Sequence, residues 1–269
     1  MKRKILSIFL ALLIAATLPV NILASGEGLA ALAKLLDASP EKLLKSSALI
    51  PGDSLSDWVA VLAGRSGKTG SAEAYLSRLW DYVSQQYEEA GGLDSIQATP
   101  WHRTALTVMA LGADPTCFGR NPQGQPIDLI ADGTYAWDTT SSLGTQGLNS
   151  WIFALITLDA GGYSVPEDAA YTREEILAAI LEAQEPDGGF GLTAGASDVD
   201  ITAMALQALA PYPDRCGREI DQALGYLSNA QTIRGDFSNI GETSAESCAQ
   251  VMIALCALEI DPRTDDRFV

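Results

Sequence analysis

An all-α fold of stacked helix pairs is predicted by three observations. A helical pattern recurs at intervals of 47, 51 and 46 residues, with starts at His102, Asn149, Asp200 and Glu246. A loop motif, Gln-x-x-x-Gly-x-Phe, occurs at 184–190 (QEPDGGF) and again 47 residues later at 231–237 (QTIRGDF). Turn residues cluster between the helical stretches and not within them: Gly91-Gly92, Asp132-Gly133, Pro186-Asp187-Gly188-Gly189 and Pro211–Pro213. A period in the forties means supersecondary units that each need a neighbour to bury their apolar face.

Two kinds of helix alternate. REEILAAILEAQ from Arg173 and REIDQALGYLSNAQ from Arg218 carry charge on one side and one apolar stripe, as solvent-facing helices do. The helices that follow are apolar nearly all round and therefore covered on both sides: DITAMALQAL from Asp200 and ESCAQVMIAL from Glu246. NSWIFALITL from Asn149 and HRTALTVMAL from His102 repeat the second kind, and DSLSDWVAVL from Asp53 is a weaker copy. Five inner helices are expected, at about 54–64, 102–112, 148–159, 200–210 and 246–258. Two concentric layers of inner and outer helices fit this alternation, with an open helical solenoid as the other arrangement of such pairs.

At the N-terminus, Lys2, Arg3 and Lys4 precede an apolar run, Ile5 to Val20, of 16 residues, with the small residues Ala24 and Ser25 behind it. This is the layout of a secretory signal peptide, and the run is short for a membrane span of ~20 residues. Cleavage after Ala24 is expected, with the bulky Ile22 as the imperfect position. Residues 1–24 are set aside as leader, and 25–269 are read as one domain.

The chain has 17 basic and 34 acidic side chains, a net of −17. The leader's only charges are its three basic residues, so the remainder holds 14 basic against 34 acidic, a net of −20. Such a surface repels nucleic acid and anionic lipid. The expected location is extracytoplasmic, secreted or at the cell surface, with no membrane span after leader removal. Export permits disulfides among Cys117, Cys216, Cys248 and Cys256. Cys248 and Cys256 lie eight apart on one helix, ~12 Å between Cα atoms and too far to bridge. Free or buried thiols are expected, with Cys117–Cys216 left open. One histidine, His102, and no Cys-x-x-Cys pair argue against a zinc site, and no metal is expected.

The repeats and the Gln-x-x-x-Gly-x-Phe loops resemble the α/α-toroid superfamily of prenyltransferase and squalene-cyclase repeats. Phe190 and Phe237 stand where the QW motif of terpenoid cyclases has tryptophan. The resemblance covers about 50–265 and is nearest to squalene-cyclase-repeat domains of exported bacterial proteins, more distantly to the helical domains of intrinsic factor and transcobalamin. It implies an α/α toroid of about five helical hairpins here, with a sixth missing by truncation after 265–269 (DDRFV). In this motif Gln is expected to bond helix-end backbone, Gly to allow a tight turn and Phe to fill the gap between repeats.

In a toroid the inner helices start at one mouth of the central cavity. Trp101, His102, Asn149, Trp151, Asp198, Asp200 and Glu246 are the candidate ligand-binding residues there. The competing reading is plain: helix N-termini select Asp, Asn and Glu for capping and dipole reasons alone, and tryptophans fill cores. Ser197 and Asp200 have a capping-box-like spacing. Asp198-Val199-Asp200-Ile201-Thr202-Ala203 resembles the Asp-x-Asp-Asp-Thr-Ala of class II terpenoid cyclases, and Asp200 matches the acid that protonates an alkene there. Ile201 replaces the following Asp.

Two functions compete. One is a non-catalytic module binding a small molecule, a corrinoid by resemblance, or a surface protein partner. The other is a terpenoid-cyclase or prenyltransferase-type enzyme with Asp200 as its catalytic acid. A carbohydrate hydrolase or lyase using Asp200 and Glu246 is the second alternative. No resident cofactor is expected.

Overall fold

The computed structural model describes residues 44–45, 47–65, 71–138, 141–239 and 242–268. The expected leader, 1–24, lies outside the described residues. Among the described residues the chain is mostly helical, with one pair of two-residue strands, and no helix is long and apolar enough to cross a membrane. Contacts divide the chain into two compact units, one up to Ser141 and one from Ser142 onward.

The first unit contains α1 (Ser54–Arg65), α2 (Ala72–Ala90), α3 (Thr99–Ala110) and α4 (Leu129–Gly133), with a 3-10 turn at Pro115–Cys117. α1 is buried almost all round, from Ser56 to Ala63, and packs chiefly on α3. Gly64 sets their closest approach, because a Cβ there would sit 2.1 Å from the carbonyl oxygen of Ala110. α2 buries a single stripe, Ala72, Tyr75, Leu79 and Val83, as the i, i+4 spacing dictates. It ends at Gly91, whose φ of 78° returns its N–H to the carbonyl of Tyr87.

Alternation of inner and outer helices breaks after α3. Pro115, Pro122 and Pro126 lack the N–H a helix needs, so this stretch folds as the 3-10 turn, a bridged turn between Arg120 and Pro126, and the short α4. Asp132 and Gly133, expected in a loop, belong to α4, which Asp128 caps by accepting from the amides of Ile130 and Ala131.

The second unit contains α5 (Leu148–Ala160), α6 (Arg173–Glu182), α7 (Val199–Leu209), α8 (Pro213–Ala230) and α9 (Ala245–Ala257). Strands β1 (Ser238–Asn239) and β2 (Glu242–Thr243) pair antiparallel before α9. α7 packs on both α5 and α9, while α6 backs onto α5 and α8 onto α7. α7 is buried on most sides; α6 buries only Ile176, Leu177 and Ile180, and α8 only Cys216, Ile220, Ala223, Leu224 and Leu227. The helices read as apolar all round, α5, α7 and α9, thus pack on one another, and the one-stripe helices α6 and α8 each back onto one of them. α8 begins earlier than its charged pattern suggests, at Pro213, and bends at Cys216 (φ −137°), whose thiol lies 3.0 Å from the Tyr212 carbonyl oxygen.

Candidate functional site

The loop motif proves to be a fastening. Gln184 Nε2 donates to the carbonyl of Gly188, closing its own turn at 2.9 Å, and to the carbonyl of Glu219 on α8 at 2.8 Å. Gly188 has φ 87°, and a Cβ there would meet the Gln222 carbonyl oxygen at 2.6 Å. Phe190 is fully buried. In the second copy Gln231 Nε2 donates to Gly235 at 3.0 Å, and Phe237 is buried.

The same fastening absorbs much of the cyclase-like motif. Asp198 is the N-cap of α7, accepting from the amide of Ile201 at 2.9 Å. Thr202 Oγ1 holds the backbone of Phe190. Ser197 does not form the expected box with Asp200, because its hydroxyl donates to Asp187 at 2.6 Å. Asp200 is half-buried in the first turn of α7. Glu246 is half-buried in the first turn of α9 and accepts from the Ser244 hydroxyl at 3.1 Å. At the start of α5, Asn149 Oδ1 is buried without a hydrogen-bond partner. Trp151 packs edge-on to Tyr171 at 5.5 Å and over Gly144, where a Cβ would meet its Nε1 at 1.9 Å.

In the first unit, neighbouring residues on α3 part ways. His102 is sealed in the core. Its Nε2 lies 2.6 Å from the Gly133 carbonyl oxygen, and since a carbonyl only accepts, Nε2 carries the proton. Nδ1 is buried with no partner, and burial lowers the imidazole pKa to about 4. His102 is therefore neutral and unavailable to a ligand.

Trp101 instead borders an open cleft of about 430 Å³, whose walls also include Tyr87, Asp94, Asp132, Trp137 and Asp138. Trp101 Nε1 donates to the Tyr87 hydroxyl at 2.9 Å, and that hydroxyl donates to Asp132 Oδ2 at 2.6 Å. Trp137 stands perpendicular to Trp101, centroids 5.2 Å apart, and donates Nε1 to the Ser141 carbonyl at 2.9 Å. Burial raises the Asp132 carboxyl above the ordinary aspartate value, partly offset by the Tyr87 hydrogen bond. The Tyr87 phenol is pushed up by burial and by that carboxylate. At the rim, Asp94 Oδ1 accepts from the amides of Ile96 and Gln97, which fixes the turn that carries it.

Of the seven sequence candidates, Trp101 alone lines this cleft. Tyr87, Asp132 and Trp137 were not singled out. Tyr87 lies half-buried one turn past Val83, on the packing stripe of α2, where the pattern reads it as core, and Asp132 sits where repeat periodicity lapses. Only their approach in space marks them. No group of three His, Cys, Asp or Glu side chains able to hold a metal ion occurs among the described residues, and all four cysteines are unbridged. Compared with known proteins, the chain matches no protein-family model and no curated protein.

Proposed function

We propose that the chain is an exported helical-repeat module of α/α-toroid type that binds a small molecule or a surface partner without transforming it. The cleft at the start of α3 is its ligand site. The observation that carries this reading is the Trp101–Tyr87–Asp132 hydrogen-bond chain, with Trp137 packed edge-on against Trp101, along the wall of an open cleft of about 430 Å³. Apolar rings with a few fixed polar groups, in a volume of this size, are what small-molecule sites consist of. The motif that resembles that of the cyclases has structural duties. Its first Asp is spent capping α7 and its Thr is spent on the Phe190 loop. Residues 1–24 act as the export leader in this reading.

The test is thermal unfolding with and without corrinoids, prenyl diphosphates, oligosaccharides and small amines. A ligand that binds only the folded state raises the midpoint, by mass action. The reading expects a saturable rise with one class, abolished by Trp137→Ala and Asp132→Asn in proteins that still fold. No rise with any class, and no turnover, overturns small-molecule binding and leaves a protein-interaction surface.

A further inference from the structure

The donor and acceptor inventory of the cleft goes beyond its shape. All three aromatic donors on its walls are already spent: Trp101 on Tyr87, Tyr87 on Asp132, and Trp137 on the Ser141 carbonyl. What remains toward a ligand is three carboxylates, Asp94, Asp132 and Asp138, the amphoteric hydroxyl of Ser95, and aromatic surface. No lysine, arginine or histidine is among the lining residues. A neutral or anionic ligand would meet acceptors and negative charge with no side-chain cation to answer it. A positively charged group gains from the carboxylates, and the half-buried Tyr87 ring with the small exposed parts of Trp101 and Trp137 gives it polarizable contact. The chain's net charge of −17 adds a field of the same sign. The absence of a three-ligand metal cluster among the described residues leaves an organic cation better matched to the cleft than a bare metal ion.

Resting on the cleft as the ligand site, we infer that its ligand is a small organic ammonium ion, held by the Asp132 carboxylate in the cleft that Tyr87, Trp101 and Trp137 border. Asp94 and Asp138 attract it at the rim. Asp132 is the anchor, because Tyr87 fixes its orientation through Oδ2 while Trp101 fixes Tyr87. The volume, about 430 Å³, admits a choline-sized head with a short chain.

The test measures binding of choline and of its neutral carbon isostere, 3,3-dimethylbutan-1-ol, by tryptophan fluorescence titration and thermal shift on the full chain. Maltotriose and a corrinoid serve as uncharged and bulky probes. The inference expects saturable choline binding, at least tenfold weaker binding of the isostere, and weakening by rising salt. Asp132→Asn is expected to lower choline affinity at least tenfold and Asp138→Asn, at an exposed position, about two- to threefold. Asp168→Asn, an exposed acid of the second unit, is expected to leave it unchanged. Because Asp138→Asn perturbs no buried contact, it keeps the test valid if Asp132→Asn fails to fold. Equal binding of choline and isostere, or choline binding indifferent to Asp132→Asn and Asp138→Asn, overturns the ammonium assignment. So does a shift with maltotriose or the corrinoid but none with choline, and in that case the cleft survives as a binding site. No binding of any probe overturns both.

Discussion

The hydroxyl of Thr202, on α7, accepts the amide of Phe190 at 2.8 Å and lies 3.1 Å from its carbonyl oxygen. One repeat later, Cys248 on α9 receives the amide of Phe237 on its sulfur at 3.3 Å. The amide of Asp198 donates back to the Phe190 carbonyl, and that of Ser244 to the Phe237 carbonyl, each at 2.9 Å. The side chain four residues past the N-cap therefore clamps the buried aromatic of the preceding loop in both repeats. The Asp-x-Asp-x-Thr run is to that extent architecture.

Thr202→Val is expected to destabilise the protein by ~1–3 kcal/mol, because it leaves the Phe190 amide buried without a partner. Thr202→Ser keeps the hydroxyl and is expected to lose less. Urea unfolding of the pair checks this, and equal losses would remove the hydrogen bond from the explanation. Cys248→Ser is expected to be tolerated better than Cys248→Val.

Gln184→Met keeps the volume and removes the donor that joins Gly188 to Glu219. The expected cost is ~1–3 kcal/mol for two carbonyls losing their partner. Gly188→Ala should cost about as much or more, since it combines φ of 87° with a Cβ 2.6 Å from backbone oxygen. Chemical unfolding midpoints of the two variants measure both effects.

His102 gives the protein a pH dependence of known sign. Its folded-state pKa of about 4 lies below the unfolded value of 6.5. The unfolded chain therefore takes up the proton first as pH falls, and stability drops between about pH 6.5 and pH 4. The full difference corresponds to roughly 3 kcal/mol. As the sequence holds one histidine, His102→Gln is expected to flatten this part of the curve. A variant as acid-sensitive as the parent across that interval would refute the assignment.

Asp57 is wholly buried within α1, where it accepts from Tyr75 at 2.8 Å and pairs with Arg103 at 3.0 Å. Burial outweighs these partners and holds its carboxyl above the ordinary value. A raised folded-state carboxyl contributes most below its unfolded pKa, and the contribution declines as pH rises through the folded one. Arg103→Met strands the carboxylate and is expected to cost ~3–5 kcal/mol at pH 7, with a smaller penalty near pH 4, because the raised carboxyl takes up its proton more readily as pH falls. Thermal unfolding of parent and variant at the two pH values gives the comparison.

Asp198→Ala removes the α7 cap and is expected to cost ~1 kcal/mol. Asp200→Asn is expected to change stability by no more than that and to alter no reaction. Incubation with squalene or prenyl diphosphates decides the matter: product formation lost in Asp200→Asn would establish the catalytic reading and overturn the binding one.

Helix type and position were legible in the chain because both are local. The hydrophobic pattern over 148–159, 200–210 and 246–258 placed α5, α7 and α9 within a residue or so, and the Gln-x-x-x-Gly-x-Phe spacing announced a loop whose glycine takes the tight turn as expected, while its glutamine bonds the loop and the body of α8 and not a helix end. Where proline removes the periodic signal, between α3 and α5, the pattern offered no warning that an outer helix would give way to short turns. The cleft was invisible for a different reason. Tyr87 and Asp132 are 45 residues apart and meet through a hydrogen bond that no repeat encodes, whereas Trp101 and His102 are adjacent yet face a cleft and a core. Periodicity reports which side of a helix is buried. What that side is buried against depends on contacts between distant segments, and those exist only once the chain has folded.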